Sequence, residues 1–169
     1  MAAEGHAMIA PGEGEVILQG GIGVVRKISA AATGGAVSVV EHPLERGALA
    51  APPHTHATTD EYSFVIEGEI GVLMGEETFR APAGSYVLKV RGVPHTFWNP
   101  GPEPARVLEI ISPAGFEQYF EELAKILSST PPGQPPDFAR IAQTAARYDT
   151  TFHMERMGEI MEKHGVELR

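Results

Sequence analysis

The sequence predicts an all-β protein of antiparallel strands, followed by an α-helical extension. Up to residue 111, short runs rich in Val, Ile, Phe, Tyr and Thr alternate with turns that contain glycine or proline. Such spacing is typical of a sandwich or a barrel. Apolar residues recur at helical spacing only after Ser112-Pro113. We therefore divide the chain into an N-terminal arm (1–19), a β domain (20–112) and a helical extension (113–169).

Nine strands are predicted from β-branched and aromatic runs bounded by turn residues. In chain order they cover residues 15–18, 23–29, 36–41, 61–67, 70–74, 78–80, 85–90, 95–98 and 105–111. The run from Glu61 to Glu67 is the clearest of them. His42-Pro43 is expected to end the third strand, because proline cannot donate to a β-ladder.

Three helices are predicted in the extension. Ser112 and Pro113 suit the start of a first helix at about residues 115–127, and Asp137 is expected to cap a second one. A third, at about residues 152–163, ends near Gly165, a typical C′ residue. These helices are expected to pack outside the β domain or against a second subunit.

The composition limits the partners and the compartment. The chain of 169 residues is 43% hydrophobic and 21% charged, and its net charge of −9 argues against binding to nucleic acid. It has no cysteine, its N-terminus lacks the features of a secretory signal, and no apolar run approaches the ~20 residues of a membrane span. We therefore expect a soluble cytoplasmic protein without a membrane partner.

Three imidazoles and one carboxylate stand out as candidate metal ligands. His54 and His56 are two residues apart, so on a strand they point to the same face. Glu61 can return to the same centre if the chain turns before it, and His95 opens a later strand. Fe, Mn, Ni, Co, Cu and Zn ions all accept this ligand set, and four protein ligands would leave positions open for catalysis.

The same stretch resembles the cupin family in both of its motifs. The first motif reads Gly47, six residues, His54-Thr-His56, four residues, Glu61, six residues, Gly68. The second reads Gly84, five residues, Val90-Arg91-Gly92, two residues, His95, three residues, Asn99. Gly47 stands one position early and Val90 replaces the family's proline. Both departures concern turns and leave the ligands intact.

The resemblance implies a fold and a metal site. The fold is a small antiparallel β-barrel of the double-stranded β-helix or jelly-roll type, over about residues 20–112. The site is a mononuclear divalent metal held by His54, His56, Glu61 and His95. With Ser112-Pro-Ala-Gly-Phe-Glu117 entering a helix, the chain resembles the quercetin-dioxygenase-like branch of single-domain cupins. The cupin resemblance and an apolar sheet face favour a homodimer.

Strand parity assigns the neighbouring side chains. Ser63, Val65 and Phe97 are expected to face inward with the ligands, and Phe97 is interpreted either as pocket wall or as plain core. Three aromatic residues are expected on the opposite surface or in a subunit contact: Tyr62, Phe64 and Trp98. Asp60 is expected to face solvent, and Asn99 to serve a turn.

Other polar residues are interpreted as peripheral. Glu109, in an otherwise apolar strand, is interpreted as a rim or interface residue in preference to a base near the metal. The remaining histidines are expected at the surface: His6, His42, His153 and His164.

Two classes of function remain open. The first is a metal-dependent enzyme acting on a small organic substrate: a dioxygenase in which Glu61 also serves as catalytic base, or a non-redox isomerase or decarboxylase. The second is a cupin that binds or senses a small ligand without catalysis. The fold alone does not choose between them.

Overall fold

Thirteen strands are the main secondary-structure elements in this computed structural model, which describes residues 8–131 and 133–168. In chain order they are β1 (Glu15–Leu18), β2 (Val24–Ile28), β3 (Ser38–Leu44), β4 (Ala48–Leu49), β5 (His54–His56), β6 (Asp60–Glu67), β7 (Glu69–Met74), β8 (Glu77–Pro82), β9 (Tyr86–Lys89), β10 (His95–Trp98), β11 (Ala105–Ser112), β12 (Thr150–Phe152) and β13 (Glu167–Leu168). All nine predicted strands are present with small shifts in their ends. His6, which was predicted to lie at the surface, is outside the described residues.

The strands form two sheets. Sheet 1 has the order β1-β2-β3-β11-β6-β9. In sheet 2, β12, β5, β10, β4 and β13 follow one another, and β7 joins β10 to β8. The ladders are antiparallel except that between β13 and β4, which is parallel. The prediction of a mostly β fold is thus confirmed as two sheets.

The main core lies between the two sheets. Side chains from both sheets pack into one cluster: Leu44, Val65, Ile70, Val72, Ala81, Val87, Phe97, Ala105 and Val107. Val65 and Val107 are completely buried. Ser63, Val65 and Phe97 are all buried as strand parity predicts, whereas Tyr62 on the opposite face is 43% exposed. Burial of this apolar surface is the main force that holds the sheets together.

β3 runs through Pro43, so the predicted strand end at His42-Pro43 is wrong. Pro43 pairs with Arg106 on β11, and its carbonyl accepts from the backbone N–H of Gly23 at 2.8 Å. Because Pro43 has no N–H, the carbonyl of Gly23 receives no hydrogen bond from the backbone of β3. Nδ1 of His42, 3.0 Å away, donates to this carbonyl instead.

Three helices lie in the described part of the extension: α1 (Glu117–Ser128), α2 (Phe138–Ala146) and α3 (Met157–His164). Asp137 caps α2 as predicted, since its Oδ1 accepts from the backbone N–H of Arg140 at 3.0 Å. Gly165 ends α3 in the left-handed conformation, with φ 63°. Ser112 does not cap α1, because it ends β11 and its hydroxyl donates to the carbonyl of Ala36.

The extension also contains strands that the sequence did not indicate. α3 begins later than predicted because residues 150–152 form β12, which pairs antiparallel with β5. β13 adds a parallel strand beside β4. The extension therefore contributes to the sheet that carries His54 and His56, as well as packing against it.

α3 covers the outer face of sheet 2. Trp98 is 1% exposed and packs with Leu49, Leu73, Ile160 and Val166. It lies on the surface opposite the ligands, as predicted, and is covered by this chain's own helix. No helix in the described residues is long and apolar enough to span a bilayer.

Candidate metal centre

Four buried side chains from three strands converge at one point. His54 and His56 lie on β5, Glu61 is the second residue of β6, and His95 begins β10. Each offers one ligand atom, and these atoms lie within 4.8 Å of one another. His54 and His95 are direct ladder partners, which explains how residues 41 positions apart reach the same centre.

The backbone fixes the ring orientation of His54 and His95. Nδ1 of His54 lies 2.8 Å from the carbonyl oxygen of Pro52, and Nδ1 of His95 lies 2.9 Å from that of Val93. A carbonyl can only accept, so Nδ1 carries the proton in both rings. The Nε2 lone pairs are therefore the ones available to a metal.

Thr150 fixes the third ring. Nδ1 of His56 lies 2.8 Å from Oγ1 of Thr150, and this hydroxyl donates its own proton to the carbonyl of Tyr148 at 3.0 Å. The hydroxyl must then accept from His56, which places the proton of His56 on Nδ1 as well. Sequence reasoning missed Thr150, since it lies on β12, far along the chain.

The Nε2 atoms meet a carboxylate that cannot satisfy them. Nε2 of His56 lies 3.3 Å from Oε1 of Glu61, and Nε2 of His95 lies 3.4 Å from Oε2. These are ion-pair distances, yet both Nε2 atoms are buried without a hydrogen-bond partner among the described residues. With the proton on Nδ1, each lone pair faces a carboxylate oxygen. A divalent cation would satisfy all of these atoms, so the four residues could hold one.

Burial keeps the imidazoles of His54 and His95 in the form that binds metal. Desolvation lowers the pKa of His54 well below its ordinary value, and it also lowers the pKa of His95 despite the nearby carboxylate of Glu61. Both rings are therefore neutral at pH 7, as a metal ligand must be.

Glu61 is ionised because a lysine and two imidazoles surround it. Burial has the largest single effect and raises the pKa of Glu61, but Lys89, His56 and His95 together outweigh it, and the pKa lies well below its usual value. Nζ of Lys89 is 2.8 Å from Oε2 of Glu61, since the two residues are ladder partners on β6 and β9.

Lys89 also bonds to Glu109, whose interpretation as a rim or interface residue is wrong. Glu109 is 1% exposed. Its Oε2 lies 2.6 Å from Nζ of Lys89, and its Oε1 accepts from the hydroxyl of Ser63 at 3.0 Å. Burial raises the pKa of Glu109 to about 7, against the opposing effect of Lys89.

A cavity of about 250 Å³ opens beside these groups. Its polar lining comes from His42, His54, Glu61, Lys89, Glu109 and Thr150. The rest is mainly apolar, and includes side chains from α1 and α2 together with Phe97, which supports the interpretation of Phe97 as pocket wall. A more polar groove of about 320 Å³ between α1 and α2 contains none of the four candidate ligands.

The remaining predicted residues lie as follows. His42 is 3% exposed, so its assignment to the surface is wrong: its ring packs against Phe97 and Phe120. His153 is partly exposed, and the ring of His164 packs at a tilt of 33° against Trp98. Asn99 serves the turn as predicted, since its Oδ1 accepts from the backbone N–H of Gly101.

The fold and the four-ligand cluster together define a cupin-type site. Residues 41–111 match the family model described as the cupin domain, and this segment contains all four candidate ligands. This match confirms the predicted resemblance to the cupin family over that segment. No curated protein has a sequence that matches this chain significantly.

Solved cupin structures are similar to the chain over part of its length. A sugar phosphate isomerase of the cupin superfamily from Silicibacter pomeroyi is 25% identical, with a TM-score of 0.49, over 54% of this chain and 59% of its own. A predicted oxalate decarboxylase from Thermotoga maritima is 18% identical, with a TM-score of 0.52, over 54% of this chain and 79% of its own. Oxalate decarboxylase from Bacillus subtilis, which has Mn(II) centres, is 24% identical, with a TM-score of 0.53, over 59% of this chain and 28% of its own. The last two likenesses show the fold.

Proposed function

We propose that this protein is a metal-dependent enzyme acting on a small organic substrate, and that its reaction is a quercetinase-like dioxygenation. One observation carries the proposal: three imidazoles with their Nδ1 atoms tied back and one ionised carboxylate converge at a mostly apolar cavity. A divalent ion held by His54, His56, Glu61 and His95 would supply Lewis acidity and, if redox-active, electrons for reaction with O2.

Glu61 is the proposed catalytic base. Its carboxylate lies on the cavity wall and is ionised, so an oxygen of Glu61 can take the proton of a substrate hydroxyl group. The cavity volume of about 250 Å³ is just below the range of roughly 300–1,000 Å³ of drug-sized ligand pockets, which suits a small molecule. The apolar walls, which include Phe97 and Phe116, exclude water from the reacting atoms.

A non-redox isomerase or decarboxylase is the second candidate. The observation that favours it is the buried ammonium of Lys89 at the cavity wall. An ammonium beside a reacting carbon acid stabilises negative charge on an enolate oxygen, a demand that isomerisation and decarboxylation share.

Finer features of the architecture belong to the same proposal. Residues 20–112 form the catalytic domain as a closed cupin barrel, and residues 113–169 form an extension that completes its cavity. The protein is a cytoplasmic homodimer that buries the exposed apolar face of sheet 1, where Tyr62, Tyr86 and Leu88 are uncovered.

The test begins with metal content. Protein purified without a metal-affinity tag is analysed for bound metals, and O2 uptake is followed with flavonols, diketones and catechols. His54→Ala should lose both metal and O2 uptake. The matched control, His153→Ala, removes a partly exposed imidazole just after β12 and should keep both.

Three outcomes separate the candidates. Metal with O2 consumption supports the dioxygenase. Metal without O2 consumption, but with turnover of a keto acid or an aldose, supports the non-redox enzyme. A protein without metal that behaves like its His54→Ala variant contradicts the enzymatic proposal and favours a ligand-binding cupin.

A further inference from the structure

Lys89 is a charged residue in a place where charges are rare. Its side chain is 2% exposed and is bonded to Glu61 at 2.8 Å and to Glu109 at 2.6 Å. Nζ also lies 4.7 Å from the centre of the Phe97 ring. Two of its three N–H donors are engaged by carboxylates, and all of these residues line the cavity.

The charges around the cavity are unbalanced once a divalent ion is bound. The charged side chains among the described residues that line it are Glu61, Lys89 and Glu109. With both carboxylates ionised, a divalent cation leaves the site with one net positive charge. A protonated Glu109 would make the site still more positive. A buried charge without a counter-charge is unfavourable, so the loaded site selects an anion.

The position of Lys89 provides a second partner for that anion. When the carboxylate of Glu61 shares its charge with a cation, its hold on the ammonium weakens. Glu109 still anchors Lys89, and Ser63 in turn orients Glu109. Lys89 is then a fixed donor at the cavity wall, ready for an anionic oxygen.

The other side chains that line the cavity determine which non-ionic part of a substrate can bind. The apolar lining includes Phe116, which immediately precedes α1, and Phe120 and Leu123 of α1. They offer burial to a carbon skeleton and no hydrogen bonds to a second polar group. The cavity is thus polar at one end and apolar along its length.

We propose that Lys89 is a substrate-binding residue that receives an anionic oxygen, and that the substrate class is a small, mainly apolar molecule with one carboxylate or acidic hydroxyl group. Glu109 and Ser63 are positioning residues for Lys89. The inference rests on the proposed function, since a bound divalent ion supplies the positive charge that the anion balances.

The test measures binding, not turnover. Mn(II) binding is first followed by electron paramagnetic resonance. Calorimetry on the Mn(II)-loaded protein then compares benzoate with its neutral analogue benzamide. Lys89→Met should weaken benzoate binding by about 10–100-fold, the effect of losing a hydrogen bond to a charged group, and should leave benzamide binding nearly unchanged.

Two further variants guard the interpretation. Lys163→Met removes an exposed lysine of α3 and should leave benzoate binding unchanged, which controls for net charge. Lys89→Met combined with Glu109→Gln removes the carboxylate that Lys89→Met alone would leave unpaired, so it keeps the fold measurable. Because the donor is absent although the net charge of the loaded site is again +1, this variant should still bind benzoate more weakly than the unmodified protein.

The outcomes distinguish this inference from the proposed function. If Mn(II) binds but Lys89→Met and the double variant bind benzoate as tightly as the unmodified protein, the anion site is refuted and the metal site stands. If benzamide loses as much affinity as benzoate, Lys89 acts through packing and the inference is again overturned. If Mn(II) does not bind at all, the proposed function fails, and the inference fails with it.

Discussion

Two consecutive residues at one edge of sheet 1 form ion pairs in different environments, one buried and one at the surface. Glu61 pairs with Lys89 inside the molecule, whereas the preceding residue, Asp60, pairs with Arg91 at the surface. Both oxygens of Asp60 accept from the Arg91 guanidinium, at 3.0 and 2.7 Å, and this bond lowers the pKa of Asp60 to about 2. The N–O distances of the two pairs are nearly the same, 2.8 Å and 2.7 Å, but the first pair is buried and the second is in contact with water.

The difference shows that burial, more than geometry, decides what a pair can do. Water screens Asp60 and Arg91, so their attraction contributes little to stability. Glu61 and Lys89 are buried away from water, so each charge is stabilised by its partner. Removal of either residue leaves the other as an unpaired buried charge, which is strongly destabilising. Only the buried pair can respond strongly to a metal ion or a substrate.

The largest expected effect is on the buried pair itself. In metal-free protein, Lys89→Met should lower the free energy of unfolding by about 3–5 kcal/mol, because two carboxylates remain buried without their cation. Arg91→Met, the matched change at the surface, should have a far smaller effect. Urea unfolding monitored by circular dichroism measures both, and equal losses would contradict the comparison.

The next effect concerns the residue that orients His56. Thr150→Val keeps the shape of the side chain but removes the hydroxyl that accepts from Nδ1 of His56, and should raise the Kd for Mn(II) by about 10–100-fold. Competition with a fluorescent chelator measures this Kd. Thr151→Val, on the same strand but exposed, is the control. An unchanged Kd in Thr150→Val would show that the ring needs no such support.

The third effect is a dependence of stability on pH, caused by the buried histidine His42, which forms no ion pair with any described residue. Burial lowers the pKa of His42 to about 4, so the unfolded chain takes up the proton first as the pH falls. This contribution to stability is complete above the ordinary histidine pKa and is lost between about pH 6.5 and 4.

When the pH is lowered from 7 to 5, the free energy of unfolding should therefore fall by about 2 kcal/mol because of His42. His42→Gln, which retains a donor for the Gly23 carbonyl, should lose correspondingly less over the same interval. Urea titrations of both proteins at the two pH values give the difference directly, and parallel losses would contradict the assignment.

The smallest effect should come from the surface pair. Asp60→Asn removes the charge beside Glu61 in sequence, yet it should leave the Mn(II) Kd unchanged, because the side chain lies on the other face of β6. A changed Kd would mean that the two faces are coupled through the strand.

The sequence was most informative where the relevant contacts are local. The spacing of His54 and His56, the turn before Glu61 and the turn before His95 are properties of short segments, so parity and turn chemistry were enough to predict the ligand cluster. The capping role of Asp137 was predicted for the same reason, since it depends on the next three residues alone.

The rest of the site depends on pairings between distant segments. Lys89 reaches Glu109 across 20 positions and His56 reaches Thr150 across 94, and no local pattern encodes such contacts. The sequence did contain one indication of the contact between Lys89 and Glu109. Glu109 lies between Val107 and Ile111 at every second position of β11, so strand parity puts all three side chains on the same buried face. A charged residue in that position indicates a buried partner.

The pairing of β12 with β5 also has a consequence for the order of synthesis. A nascent chain contains all four candidate ligands once His95 has been made, but Thr150 leaves the ribosome much later. Until then the ring of His56 has no partner to fix its proton, and the cavity lacks three of its lining residues, Phe152, Met154 and Leu168. The metal centre is thus completed only once β12 has been made, and a chain cut short after α1 would present its four ligands without the hydroxyl that orients His56.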